Sequence, residues 1–319
     1  MIMPSNATSS LPVVRVGEIK SEDNAQRWLV EELWGAKSVG VIGGAPKCSK
    51  TWLALDMALS VATGTACLGK YAVPEPGPVL VYLAEDALPV VRERVEGMAR
   101  HRGLDLARVE MHVITAPTLR LDRGPDRTRL LETTRLLRPR LLLLDPLVRL
   151  HGIDENNAGE VAQLLAYFRS LQRQLELSVV LVHHTRKNAA GGAAAGQGLR
   201  GSSDIHAFGD SNLYLRRTKD HLVLQSEHRA APASALVHMA LVATSAETTH
   251  LEVIAEQEEG KRRGLHEQVL GVLAPGVVLT RAKLRDCLAV KNERLGEALQ
   301  SLEHAGRLSH TAAGWQRLD

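Results

Sequence analysis

Val39-Gly-Val-Ile-Gly-Gly44-Ala-Pro-Lys-Cys-Ser-Lys50-Thr-Trp-Leu-Ala-Leu-Asp-Met-Ala58 is the stretch on which the reading of this 319-residue chain turns. Ser38 to Gly43 has the apolar character of a buried strand, and Lys50 to Ala62 carries Leu53, Met57, Ser60 and Val61 at helical spacing. Between them, Gly44-Ala45-Pro46-Lys47-Cys48-Ser49-Lys50-Thr51 follows the pattern GxxxxGK[ST] except at the second glycine, where Ser49 stands. A loop of this kind turns successive backbone N–H groups toward a polyphosphate, its lysine reaches the β/γ oxygens, and its hydroxyl ligates Mg²⁺. Gly44 through Thr51, with Trp52 behind them, therefore form the candidate ATP-binding segment, and Lys50 and Thr51 take those two roles. If the position of Ser49 demands a positive φ, a non-glycine residue there costs about 1–2 kcal/mol. Cys48 reads as a small residue whose thiol is open to modification.

The same alternation runs outward from the loop. Pro78 to Ala84 reads as a strand, Val90 to Arg102 as a helix, Val109 to Thr115 as a strand and Asp126 to Arg138 as a helix. Strand Leu141 to Leu144, helix Ala158 to Leu175 and strand Ser178 to Val182 follow. Such order predicts an α/β core, a mainly parallel sheet with helices on both faces. In that architecture chemistry gathers at the carboxyl ends of the strands. Leu141-Leu-Leu-Leu-Asp145 puts a carboxylate there, expected on a strand next to the phosphate loop and holding Mg²⁺ through water; a helix cap is the alternative. Val79-Leu-Val-Tyr-Leu-Ala runs into Glu85-Asp86, and Glu85 is the candidate base for orienting the water that attacks the γ-phosphate, against a solvated acidic turn. Ser178 to Val182 delivers His183 and His184 to the same rim, where one imidazole can sense the γ-phosphate; their spacing does not suit a metal site.

Beyond His184, Asn188 to Gly198 is almost all Ala and Gly and reads as a mobile loop. Asn212 to Arg217 and His221 to Ser226 suggest an antiparallel hairpin at one edge of the sheet, extended by β segments near Leu236 and Leu251. The charged run Glu256 to Arg263 reads as a linker. Leu265 to Leu273, Arg281 to Leu288 and Asn292 to Gly306 then read as three helices, with Thr280 capping the second, and Arg307 to Leu318 as a β-ribbon, which fits a winged-helix-like module. The expected organisation is an N-terminal segment (1–37), an ATPase domain (38–255), a linker (256–263) and a winged-helix-like domain (264–319).

Composition narrows the partners. With 3% aromatic residues, a stacking platform of Phe and Tyr for single-stranded nucleic acid is not expected, so any such contact should be mainly ionic. The net charge of +3 permits an anionic partner without demanding one. Candidate DNA contacts are Arg186, Lys187 and Arg200 around the Ala/Gly loop, Arg149 and His151 after Asp145, and Arg281, Lys283, Arg285, Lys291 and Arg294 in the C-terminal module. Lys291 and Arg294 lie near the start of the third helix, where winged helices meet phosphates or bases; docking of the module on protein is the equal alternative. Asp154, Glu155 and Asn156 read as a cap for the helix near Ala158. Cys48, Cys67 and Cys287 lack CxxC or Cys/His spacing, which points away from disulfides and zinc toward a reducing, cytoplasmic compartment. No apolar run approaches the roughly 20 residues of a membrane span, and no signal peptide is expected.

Taken together, GAPKCSKTWLALDMAL, YLAED, LLLLDPLVRLHGIDENNAG, VVLVHHTRK and LRGSSD resemble the RecA-type P-loop ATPases of the AAA family that includes the plasmid replicative helicase RepA, across roughly 38–232. That resemblance implies a catalytic glutamate at Glu85, a metal-site aspartate at Asp145 and a phosphate-sensing histidine at His184. It also implies Mg-dependent ATP hydrolysis on DNA by a ring, a homo-hexamer with ATP between subunits. The chain departs from the family's helicase at Asp210, where an arginine reaching into the neighbour is expected, and at Ser226-Glu227-His228-Arg229, where a lysine should follow the serine. Arg200, Lys219 and Arg229 are the alternative sources of that trans charge. Without one, hydrolysis slows by about 10³–10⁵-fold.

Overall fold

A computed structural model describes residues 13–19, 27–184, 203–218, 221–232, 234–243, 248–254, 257–274, 277–288, 290, 292–311 and 313–318. The chain divides into two compact units between Val253 and Ile254. The first unit begins with a short hairpin, β1 (Trp28–Val30) and β2 (Trp34–Gly35), and continues through β3 (Val39–Gly44), α1 (Lys50–Thr63), β4 (Val79–Leu83) and α2 (Leu88–His101). Then come β5 (Met111–Val113), α3 (Gly124–Leu137), β6 (Leu141–Asp145), α4 (Ala158–Leu175) and β7 (Ser178–His184). After α5 (Ser203–Phe208) the unit ends in β8 (Ser211–Arg217), β9 (Leu222–His228), β10 (Val237–Ala243) and β11 (Thr249–Val253).

Among the described residues, nine of these strands form one sheet in the order β11-β10-β9-β8-β3-β7-β6-β4-β5. Strands β8, β3, β7, β6, β4 and β5 run parallel to one another, and β9 to β11 continue the sheet antiparallel. Side-chain alternation builds a core on each face. Leu141, Leu143, Val180 and Val182 join α1 on one side, while Leu142, Leu144, Val179 and Leu181 join α4 on the other. This is why β6 is a run of four consecutive leucines: a strand covered on both faces has no solvated side to fill. The hairpin before Ser38 is part of the first core, with Leu29, Val30, Leu33 and Trp34 all buried in it. Gly40 is required by the close approach of β3 to β8, since a Cβ there would stand 1.8 Å from the carbonyl oxygen of Ser211.

Local chemistry sets the helix ends. Proline opens α2 and α3 in the first turn, where its missing N–H costs nothing. Asn157, not Asp154, Glu155 or Asn156, caps α4, its side-chain oxygen accepting from the backbone N–H groups of Gly159 and Glu160. Two further expectations are corrected. Asp145 is not on the strand next to the phosphate loop, because β7 lies between β3 and β6. Of the predicted Val109–Thr115 strand, Met111–Val113 forms β5 at the sheet edge, with Glu110 and Ile114 each adding a backbone hydrogen bond to β4, its sole partner.

The second unit contains α6 (Gln257–Val272), β12 (Val278–Leu279), α7 (Arg281–Leu288), α8 (Asn292–His304), β13 (Leu308–Thr311) and β14 (Gly314–Arg317). The stretch expected as a linker is thus the first part of α6: Gln, Glu, Lys and Arg are strong helix formers, so a charged run prolongs a helix as readily as it spaces domains. Leu265, Val269, Leu284, Leu295, Leu299, Leu302 and Trp315 make this unit's own core, and its three strands are antiparallel in the order β12-β14-β13. Thr280 accepts from the N–H of Lys283 and caps α7.

Candidate phosphate-loop site

Strand register explains how residues far apart in sequence meet. His184 lies opposite Gly44, and Asp145 lies opposite Leu83, two residues before Glu85. The loop after β3, Glu85 after β4, Asp145 at the end of β6 and His184 at the end of β7 therefore share one carboxyl rim.

At the head of α1, Thr51 donates from Oγ1 to Asp145 Oδ2 at 2.7 Å, so α1 bridges the width of the intervening β7. Asp145 is 7% exposed. Burial pushes its carboxyl up to about 6, only partly opposed by the Thr51 hydrogen bond and the Lys50 charge. Lys50, itself buried, donates from Nζ to the carbonyls of Gly44 at 3.0 Å and Ala45 at 2.9 Å. Desolvation lowers its pKa, against the pull of Cys48, Asp145 and Glu85. A cation tied to loop carbonyls beside a buried carboxylate and a hydroxyl is a donor set of hard oxygens and one ammonium, which fits a Mg-polyphosphate. Lys50 and the loop's backbone could hold the phosphates, and Thr51 with Asp145 the metal. The loop also leaves no room at Gly44, where a Cβ would meet the Leu215 carbonyl oxygen at 2.4 Å and Cys48 Sγ at 2.6 Å.

Over residues 5–190 the chain matches the AAA domain family. The chain belongs to that family. Among solved structures the AAA chain is similar to a DnaB-like replicative helicase, described with its interactions with primase, at 14% identity over 67% of this chain and 59% of that chain with a TM-score of 0.52. It is also similar to a RadB recombinase at 16% identity, covering 65% of this chain and 88% of that one, with a TM-score of 0.49. The helicase likeness is one of fold alone, a RecA-like α/β core. This chain spans 59% of that helicase chain's length.

Ser49 has φ +68° and Lys47 φ +63°, so two non-glycine residues of the loop are left-handed, each a strain of about 1–3 kcal/mol. Ala45, Pro46 and Lys47 are exposed, whereas Cys48 is buried and its thiol pushed up by desolvation, which favours the small-residue reading over a reactive thiolate. Trp52 packs on the apolar clusters beside α1 with the Arg94 guanidinium 5.6 Å from its ring, and Arg94 pairs with Asp86 at 2.7 Å. Glu85 is exposed and accepts from Arg149 Nε at 2.7 Å, so the residue proposed for DNA holds the residue proposed as base. His151 is buried with Glu155 3.5 Å away and offers no surface to DNA. His183 is buried on β7 while His184 is half-buried at the rim.

At the opposite rim, Asp210 accepts from the N–H of Val39 at 3.2 Å and takes the Arg169 guanidinium in a two-pronged pair. Arg229 is also tied there, 3.6 Å from Asp210 and donating to the carbonyl of Ala207. Sequence reasoning missed Arg169, and it missed Arg217, whose Nη2 donates to Ser49 Oγ at 3.2 Å. The arginine pair Arg216-Arg217 at the end of a strand leaving the rim was the available signal. Arg186, Lys187, Arg200, Lys219 and Lys291 lie outside the described residues.

In the second unit, Arg294 borders a groove of about 250 Å³ with Leu265, His266, Glu297, Ala298 and Ser301. The exposed positions of α8 set Glu293, Glu297 and Glu303 against Arg294. On α7, Arg281 donates to the carbonyl of Asn292 at 2.6 Å and Arg285 pairs with Asp286 at 3.0 Å. Among the described residues no helix is long and apolar enough to cross a membrane, and Cys48, Cys67 and Cys287 are free thiols.

Proposed function

We propose that this chain is a Mg²⁺-dependent ATPase that assembles into a ring, a hexamer, and acts on DNA in the cytoplasm as a replicative helicase-like protein of the plasmid type. The observation that carries the reading is the Thr51–Asp145 hydrogen bond of 2.7 Å at the mouth of a loop whose lysine is buried on its own carbonyls. In this reading Lys50 and the loop N–H groups bind the triphosphate, and Thr51 and Asp145 hold the metal. Glu85 orients the attacking water once released from Arg149, and His184 senses the γ-phosphate. The bound metal would compensate charge on the transferring phosphoryl group. Arg186, Lys187 and Arg200 are read as DNA contacts of the first unit, with Arg200 serving also as the charge offered to a neighbouring site. Three glutamates against one arginine on the exposed side of α8 repel phosphates, so the winged-helix-like unit with Lys291 and Arg294 is read as docking on protein.

Asp210 favours a second reading. Its carboxylate is committed to Val39 and Arg169 where the helicase-like pattern expects a mobile arginine, and this suits a slow ATPase that works as a nucleotide-switched DNA-binding scaffold. Single-turnover unwinding of a forked duplex separates the two. Strand separation that requires ATP and stops in Glu85→Gln supports the motor. ATP-dependent DNA binding without unwinding leaves the switch, and no ATP uptake by the wild-type chain removes both.

A further inference from the structure

The rim holds a cation to which the reading above gives no task. Arg217 closes β8, and since Leu215 lies opposite Gly44 in the parallel pairing, the residues after it run alongside the phosphate loop. Its neighbours on the rim are otherwise engaged: Arg149 with Glu85, Arg94 with Asp86 and Lys50 with two carbonyls. Arg217 instead donates to a neutral hydroxyl, Ser49 Oγ at 3.2 Å, and among the described residues no carboxylate pairs with it. Its charge is felt within the loop, where it opposes the upward push of burial on the Cys48 thiol.

Ser49 itself is poorly suited to its backbone. It is left-handed, with φ +68°, at the position where the loop pattern has glycine. Glycine would relieve the strain but would offer no side-chain acceptor to an arginine. The serine hydroxyl accepts from Arg217, and it lies one residue before Lys50.

We propose that Ser49 and Arg217 form a unit in which the serine recruits Arg217 to the phosphate loop as a second polyphosphate-binding cation from the same chain. Arg217 is the binding residue and Ser49 its positioning residue. The inference rests on the reading that this loop binds a triphosphate. Guanidinium suits the task, since its fork matches phosphate oxygens and its charge does not titrate.

The test is a double-mutant cycle on the full chain, with ATP affinity and steady-state kcat and KM measured for Arg217→Ala, Arg217→Lys, Ser49→Gly and the Ser49→Gly/Arg217→Ala pair. Arg217→Ala is expected to weaken ATP about 10-fold at low salt, a loss that shrinks at high salt, and Arg217→Lys to recover part of it. Ser49→Gly is expected to raise the melting temperature yet weaken ATP about threefold, and the double variant to be no weaker than Arg217→Ala alone. A structural serine moves stability and affinity together, so their opposite motion marks positioning. Unchanged ATP affinity in Arg217→Ala overturns the proposal, as do effects that simply add in the double variant, or a Ser49→Gly chain that binds ATP better than the wild type. Lys50→Ala separates the two levels. If it abolishes ATP binding while Arg217→Ala does nothing, the loop reading stands and the second cation falls; if the wild-type chain takes up no ATP, the loop reading itself falls.

Discussion

The two rims of the same sheet hold similar charges and arrange them in opposite ways. At the amino rim, Asp210 closes on Arg169, Glu75 on Arg140 at 2.8 Å and Glu176 on Lys37 at 3.4 Å, so cation meets carboxylate and the charges cancel in place. At the carboxyl rim, Lys50 rests on carbonyls, Asp145 on a hydroxyl and Arg217 on another hydroxyl. No ion pair joins Lys50 to Asp145 among the described residues, although each lowers the other's electrostatic cost. Lys50 and Asp145 are buried, and charges buried without an opposite partner destabilise a fold and persist where something else completes them; Arg217 beside them is exposed. The difference teaches why the proposed ligand, an anionic nucleotide carrying a cation, suits the carboxyl rim and not the amino one.

The largest expected effect breaks the carboxyl rim. Lys50→Ala should reduce ATP affinity by at least about 10³-fold, roughly 4 kcal/mol, while the chain still folds, because the side chain removed carries a desolvated charge. Titration calorimetry checks it, and tight ATP binding by the variant would contradict the assignment. The counterpart at the amino rim has the opposite signature. Asp210→Ala leaves the Val39 N–H and the Arg169 guanidinium without their acceptor, so denaturant melts should show a loss of about 3 kcal/mol, with ATP affinity unchanged in the folded fraction.

How far this contrast was legible in the sequence differs between its two sides. Leu141 to Leu144 announce a doubly covered strand by being apolar at every position, and GAPKCSKT announces a loop between a strand and a helix, so the fold class and that strand–loop–helix unit were both readable. Strand order was not, because nothing in residues 178–184 says that β7 inserts between β3 and β6. Ion pairs at long sequence separation, Arg169 with Asp210 and Arg149 with Glu85, depend on loop paths that local pattern does not encode. Charged residues at 257–263 were ambiguous in kind, since linker and solvated helix share a composition.

Asp145 sharpens the comparison through pH. Its carboxyl is held up at about 6 instead of 3.8, so the folded chain binds that proton more tightly than the unfolded one. The resulting stabilisation is full below about pH 4 and is lost as the pH rises through about 6, a fall of about 3 kcal/mol. In EDTA at pH 8, Asp145→Asn, which keeps an acceptor for Thr51, should therefore be more stable than the wild type by about 2 kcal/mol and show a flatter profile between pH 4 and pH 7. Thermal melts across that range decide it. A variant less stable than wild type at pH 8 would mean that the ionised carboxylate is already compensated without a ligand.

The smallest effect concerns Glu85, which, like Asp86 beside it, has a cation at the carboxyl rim. Its pair with Arg149 is exposed, with side chains 47% and 62% accessible, and pairs of that kind contribute less than about 1 kcal/mol. Arg149→Ala should accordingly leave the melting temperature almost unchanged. Turnover is the sensitive readout, because a Glu85 that acts as the base must first leave Arg149, and removing the arginine lowers that barrier. We expect kcat to rise about two- to threefold at low ionic strength and the difference to vanish near 0.5 M salt, where screening already loosens the pair in the wild type. A fall in kcat at every salt concentration would instead make Arg149 part of the machinery that positions Glu85, and that pair would then be structural, like those that close the opposite side of the sheet.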